Sequence, residues 1–565
     1  MAAPQESLSS TTPRRRRTVR RTLVIVVGSL LLLVVLAVGG FGTWIAVSFA
    51  NARVDTVGEV DFDRVLAVPR LAESRVDPDG TRVFSLRMRE GESDLGGENP
   101  TPTWGFDGAY LGPTLRAVRG EKVRVEVTNG LGEPSTVHWH GMHLRPEMDG
   151  GPHQMIEPGT TWSPRWMIDQ PAATLWYHPH PHGATASHVR RGLAGMFILD
   201  DPAGTAGGRV GAALPHRYGV DDVPLVVQDV HLDDDGRIED QGSLFSSVGT
   251  LGDRVLVNGT PGPHDEVTAQ RTRYRLLNAS TARTYTFAFS DHREFALVGT
   301  DGGLVETPVP LDQIVLTPGE RAEIVVTMEP GDRTVLRSEP LPDRFGGGSR
   351  FTGDDDRLDV LELRAADRLD PSPPLPRRLA PPPDVDPSDA VRTRTFQVSG
   401  TAINGRGMDM GRIDAQVEDG STEIWDLSSG DGAAHNFHVH GVQFKVTTDA
   451  DNAPPPQLAG WKDTVFIPPG GTARLLVRLP GYADPAVPYM FHCHLLEHED
   501  RGMMGQFVVV QPGQPPGQPP VASAPRLNPA GRPIRESQRQ EERHHEAGRG
   551  AGPGQGEDRQ GQHRP

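Results

Sequence analysis

His492-Cys493-His494-Leu495-Leu496-Glu497-His498 places four metal-ligand side chains within seven positions. On a β-strand, residues i and i+2 share a face. His492 and His494 are therefore expected on one side and Cys493 on the other, so a single strand reaches two metal centres with a short covalent path between them. Cys493 is the only cysteine in the chain, which excludes a disulfide framework and leaves one thiol among 21 histidines. Three further clusters belong with it: His138-Trp139-His140, His178-Pro179-His180 and His435-Asn436-Phe437-His438-Val439-His440. Neutral imidazole suits copper, zinc, iron and nickel, while thiolate with thioether selects copper. Cys493, two histidines and the weak thioether of Met503 make the ligand set of a blue-copper electron-transfer site. The eight histidines in four spaced pairs suffice for three more copper ions.

Working outward, one pattern appears three times. The alternating strand Val123-Arg124-Val125-Glu126-Val127-Thr128-Asn129 precedes the first histidine pair, and Glu423-Ile424-Trp425-Asp426-Leu427 precedes the third cluster. Tyr274-Arg275-Leu276-Leu277-Asn278 repeats the strand, but Tyr285-Thr286-Phe287 stands where histidines are expected. Each copy continues through a glycine turn into another alternating strand, over 161–167, 321–327 and 473–479. The 65 glycines and 52 prolines, about a fifth of the 565 residues, suit short strands joined by turns. The pattern predicts an all-β protein of three tandem β-sandwich domains, at 55–203, 215–368 and 390–512. A proline-rich linker spans 369–389. The middle copy carries no copper ligands and reads as a spacer.

The termini differ from this body. Arg14 to Arg17, Arg20 and Arg21 precede an uncharged stretch in which thirteen Leu, Val and Ile fall between Leu23 and Val38. At roughly −0.3 to −0.6 kcal/mol each, they total about −4 to −8 kcal/mol for insertion. The run is longer than the apolar region of a cleaved signal. It predicts a cytoplasmic basic segment at 1–22 and a single transmembrane anchor at 23–50, with the rest of the chain outside a bacterial cell membrane. Cleavage at Ala50-Asn51-Ala52 and a twin-arginine signal at Arg20-Arg21 are the alternatives, and both also export the body. Residues 513–565, with His544, His545 and His563, have no apolar periodicity and read as a disordered tail. A net charge of −17, with only three lysines, excludes a nucleic-acid binder.

These motifs resemble the three-domain multicopper oxidases, in particular their bacterial cuprous-oxidase and laccase-like branch. The likeness covers about residues 58–512. Besides the histidine clusters it includes Trp104-Gly105-Phe106, Leu111-Gly112-Pro113-Thr114, Asp149-Gly150-Gly151-Pro152, Gly192-Leu193-Ala194-Gly195 and Gly460-Trp461-Lys462-Asp463-Thr464. The resemblance implies cupredoxin-like domains holding four copper ions. His435, Cys493, His498 and axial Met503 would hold a type 1 copper that accepts electrons, and His138 and His438 a type 2 copper. Two type 3 coppers would be held by His140, His178 and His494, and by His180, His440 and His492. Dioxygen would be reduced to water at the three-copper cluster. Asp149 and Glu499 match carboxylates that relay protons or orient a bound water, and Cys493, Asp149 and Glu499 are the candidate catalytic residues. His143, His182 and His188 have no ligand slot and are expected to make structural hydrogen bonds.

The chain departs from the cuprous oxidases in lacking their methionine-rich segment. Only Met408 and Met410 lie between Met328 and Met490. With Asp409 and Asp431 they suit Cu(I) as soft thioether plus carboxylate, or they are ordinary strand and turn residues. The reductant is thus either a phenol or aromatic amine, or a metal ion such as Cu(I) in copper tolerance. Some exported relatives keep the fold as a non-enzymatic envelope scaffold after losing their ligands. All twelve ligands are present here, which favours the enzyme.

Overall fold

The computed structural model describes residues 14–240, 242, 245–342, 349–447, 454–479 and 481–519, with side chains described from residue 22. Residues 1–13 of the basic segment, and the three tail histidines His544, His545 and His563, lie outside the described residues. The chain forms two compact units, residues 1–54 and 55–565.

The first unit is one helix, Arg14–Asn51. Its uncharged part, Thr22–Asn51, has 30 residues, and its most apolar 18-residue stretch has a mean hydropathy of 2.9 and no buried residue. At 1.5 Å per residue it is about 45 Å long, long enough to cross a membrane's hydrocarbon core of about 30 Å.

The second unit is built of β-sheets, and the threefold sequence pattern reappears in its strand pairing. Strand Arg82–Ser93 runs parallel to Lys122–Asn129, Asp222–Val230 parallel to Arg271–Asn278, and Ala390–Ser399 parallel to Thr422–Ser429. In each copy the second strand then pairs antiparallel with the alternating strand that follows it. In the first copy that strand is split into Thr161–Trp162 and Arg165–Met167. Pro164 lies in the gap, where a residue without an N–H interrupts the ladder. A second sheet completes the first and third sandwiches. It carries His138–His140 against Ala173–His178 in the first, and His435–Val439 between Thr464–Ile467 and Asp484–His492 in the third. Alternating inward residues such as Val123, Val125, Leu175 and Phe197 fill the first core, and Trp425, Phe437, Phe491 and Phe507 the third. In the middle copy, Tyr285–Phe289 takes the position of the histidine strand, between Gln313–Leu316 and Arg333–Glu339.

The period-of-two argument needs one correction. Of the four His-x-His pairs, only His138 and His140 lie together within a strand. The strand carrying His178 ends there, because Pro179 cannot donate to a ladder, and the next backbone N–H, of His180, donates to Thr136 Oγ1 at 2.6 Å. The strand carrying His492 also ends at that residue. His494 lies beyond it, with its N–H donating to Asn436 Oδ1 at 2.6 Å. The second imidazole of these pairs is thus placed by a side-chain acceptor rather than by pleat alternation.

Candidate metal centre

Cys493, His435 and His498 form one metal-sized, buried cluster. His435 Nδ1 lies 3.8 Å and His498 Nδ1 3.7 Å from Cys493 Sγ. The other nitrogens fix the tautomers. His498 Nε2 donates to Ser247 O at 2.7 Å and His435 Nε2 to Asp431 Oδ1 at 3.0 Å, which leaves each Nδ1 lone pair aimed at the thiol. Met503 is buried in the same core, and its carbonyl accepts from Cys493 N at 3.1 Å. Burial pushes His498 down to about 4 and lowers His435, so both imidazoles are neutral at pH 7. Burial raises the Cys493 thiol to about 12, so it is protonated until a metal displaces the proton.

The other eight histidines converge between the first and third sandwiches. His138 stacks on His440 with centroids 3.8 Å apart, and His140 stacks on His438 at 3.7 Å. His180 Nε2 and His440 Nε2 each lie 3.1 Å from His492 Nε2. With His440 Nδ1 on Asp149 and His492 Nδ1 beside Glu499, these ring nitrogens meet as lone pairs with no donor to share. His494 sits 5.0 Å from His140 and 5.3 Å from His178, centroid to centroid.

The chain's own groups leave the inward nitrogens unsatisfied. His138 Nε2, His140 Nδ1, His178 Nε2, His438 Nε2 and both nitrogens of His494 are buried without a hydrogen-bond partner. Each such atom costs about 1–3 kcal/mol, a cost that bound metal removes. The outward nitrogens are mostly held by acceptors: His138 Nδ1 by Asp149 O, His178 Nδ1 by Pro179 O, and His438 Nδ1 by Asp463 O. Burial, added to by neighbouring imidazoles, lowers His140, His178, His438 and His440 well below the usual value. It takes His180 down to about 3. Neutral imidazoles with free inward lone pairs fit soft or borderline cations such as copper.

Both expected carboxylates are at this centre. Asp149 Oδ2 accepts from His440 Nδ1 at 2.7 Å. The Glu499 oxygens lie 3.3 Å from His180 Nδ1 and 3.1 Å from His492 Nδ1, in full burial. A third carboxylate received no role in the sequence reading. Asp463 Oδ1 accepts from His140 Nε2 at 3.0 Å. The signal was present, since Asp463 lies inside a quoted motif. His188 makes the expected structural bonds, to Ser135 Oγ and Glu133 Oε1, both at 3.0 Å. His143 Nε2 and His182 Nδ1 are instead buried without a partner. Asp409 Oδ1 accepts from Gly411 N, and Asp431 from Gly400 N and Ala433 N as well as from His435.

Comparison with known proteins agrees with this geometry. Multicopper oxidase family domains match residues 87–204, 221–335 and 378–513. The chain is 36% identical to the cell division protein FtsP of Photorhabdus laumondii, over 80% of this chain and 93% of that protein. It is 33% identical to the multicopper oxidase mco of Staphylococcus haemolyticus, over 78% and 91%. Among solved structures, it resembles CueO, a laccase-like multicopper oxidase from Ochrobactrum sp. with oxidase activity towards lignin model compounds and lignosulfonate. The TM-score is 0.70 and the identity 35%, over 79% of this chain and all of that one. The buried thiol–imidazole site, the eight converging histidines and three matched domains agree: the chain belongs to the multicopper oxidase family.

Proposed function

We propose that this protein is an oxidase that draws single electrons from a reducing substrate and passes them to dioxygen, forming water. One observation supports it above all: all twelve expected ligands are present and buried, and inward nitrogens of His138, His140, His178, His438 and His494 have no partner in the chain. His435, Cys493, His498 and Met503 would hold a type 1 copper. His138 and His438 would hold a type 2 copper, and His140, His178, His494, His180, His440 and His492 the type 3 pair. When bound, these four ions supply the redox chemistry of one-electron oxidation and four-electron dioxygen reduction.

The chain's own residues do the rest. Cys493 is bonded in sequence to His492 and His494, which gives electrons a short covalent route between the centres. Asn436 Oδ1 accepts from His494 N, with Cys493 Sγ 3.6 Å away, and so braces that route. Water formation consumes protons. Asp149 accepts the N–H of His440 Nδ1, and Glu499 lies beside His180 Nδ1 and His492 Nδ1, where a carboxylate can take and release a proton. Full burial of both centres excludes bulk water from the route.

We take the donor to be a phenol or aromatic amine. The chain lacks a methionine-rich segment, and the Ochrobactrum protein it resembles acts on lignin model compounds. Cu(I) oxidation for copper tolerance is the alternative, resting on Met408, Met410, Asp409 and Asp431. The helix Arg14–Asn51 would anchor the protein with its oxidase part outside the cytoplasm. Likeness to FtsP favours a second reading, an envelope protein of cell division without turnover. Steady-state rates with Cu(I), Fe(II) and a dimethoxyphenol decide between these. Phenol turnover without added copper is expected, and a strict need for excess Cu(II) counts against it.

A further inference from the structure

None of the expected copper ligands lies in the middle sandwich, yet one of its turns meets the metal centre. That turn is Thr317-Pro318-Gly319-Glu320-Arg321. Gly319 has φ +87°, and a Cβ there would lie 3.0 Å from the His494 ring. Thr317 Oγ1 and Pro318 O accept from Asn436 Nδ2 at 3.1 and 2.8 Å, and Asn436 in turn braces His494.

Arg321 completes the contact. All five of its N–H donors are used. Nε donates to Thr174 O, Nη1 to Gly319 O and Asp463 Oδ1, and Nη2 to Asp301 O and Asp463 Oδ2. The Arg321–Asp463 pair is bidentate, at 2.7 and 2.6 Å, and both side chains are wholly buried. Asp463 Oδ1, the oxygen at 2.7 Å from Arg321, also accepts from His140 Nε2, while the Asp463 carbonyl accepts from His438 Nδ1 at 2.8 Å. Gly141, which follows His140, has φ +85°, and a Cβ on it would lie 2.6 Å from Asp463 Oδ2 and 2.7 Å from Arg321 Nη2. The pair can approach His140 only because that position is glycine. A fixed carboxylate on Nε2 requires Nε2 to carry the proton, so His140 presents Nδ1 inward. His138, His178 and His438, held through Nδ1, present Nε2.

We propose that Arg321 and Asp463 are positioning residues of the copper centre: the middle sandwich holds Asp463 through Arg321, and Asp463 dictates that His140 binds metal through Nδ1. This rests on the copper reading of the eight-histidine site, and the test separates the two.

Full-length wild type, Asp463→Asn and Arg321→Lys are loaded with copper alone, then compared by copper analysis, visible absorption and electron paramagnetic resonance. The asparagine amide sets N–H against the donors of Arg321 and cannot satisfy Arg321 and His140 together. Lysine cannot make the bidentate contact. Neither residue touches Cys493, His435 or His498 in the structure, so blue absorption should stay at wild-type intensity. Bound copper should fall by about one atom or more per chain, with an altered signal from the remaining non-blue copper. Full copper content with an unchanged resonance spectrum in both variants overturns the proposal. Should the variants lose blue absorption through misfolding, a structure of copper-loaded wild type decides. Nδ1 of His140 on copper with Nε2 on Asp463 supports the proposal, and Nε2 on copper overturns it. Wild type that takes up no copper overturns the copper reading and this proposal with it.

Discussion

Copper loading at Cys493 should depend on pH with a slope that the structure sets. With the thiol at about 12, forming the thiolate at pH 7 costs about 7 kcal/mol, five pH units at 1.36 kcal/mol each. His498, at about 4, and His435, lowered by burial, release no proton at neutral pH. One proton therefore leaves per copper bound, and apparent affinity should rise tenfold per pH unit between about pH 6 and pH 9. The assay equilibrates metal-free protein with Cu(I) against a chromophoric chelator at several pH values. Reoxidation in air then lets blue absorption count this site alone. A slope near zero would show a thiolate already formed in the metal-free protein, against full burial of the sulfur. A slope near two would mean that a ligand histidine is protonated, against the burial that lowers both imidazoles.

Cys493→Ser should lose all blue colour and stop oxidation of every donor, with about three coppers still bound; copper analysis and visible spectra check this. His178→Ala should keep the blue band, which bleaches under a reductant and recovers slowly or not at all in air. Glu323 is held down at about 2 despite burial by Arg273 and Arg275, below its ordinary 4.5. A depressed carboxylate stabilises the fold above the unfolded value, so about 3 kcal/mol should be lost as pH falls from about 4.5 towards 2. Glu323→Gln should flatten that acid limb in thermal melts, and an unchanged limb would refute the assignment. Deleting residues 1–52 should give a soluble, active enzyme, whereas a native N-terminus at Arg53 would show that the helix is a cleaved signal.

Short-range patterns were legible in the sequence. The alternation from Val123 to Asn129, and its copies at Tyr274 and Glu423, reappear as equivalent strands because one buried face enforces the period of two. The histidine clusters were legible for a chemical reason, since few structural needs put so many imidazoles at such spacing. Contacts between distant segments were not. Arg321 reads as the first residue of an ordinary strand, and its partner Asp463 lies 142 residues away. Nothing local marks either as charged and wholly buried. Tyr285-Thr286-Phe287, standing where histidines are expected in the middle copy, says nothing about the far end of that sandwich. There the turn at Gly319 packs on His494. The strand ends at His178 and His492 were also invisible to a period-of-two argument, because Thr136 and Asn436 supply the acceptors that take over.

The most direct test is the electron balance of the purified, copper-loaded protein, with dioxygen uptake measured against donor oxidised. About four one-electron oxidations per dioxygen consumed, with no peroxide released and the blue band bleaching in step, is the expected result. A copper-replete, blue protein that consumes no dioxygen with phenols, Fe(II) or Cu(I) would contradict the account and leave the division-protein likeness as the better guide.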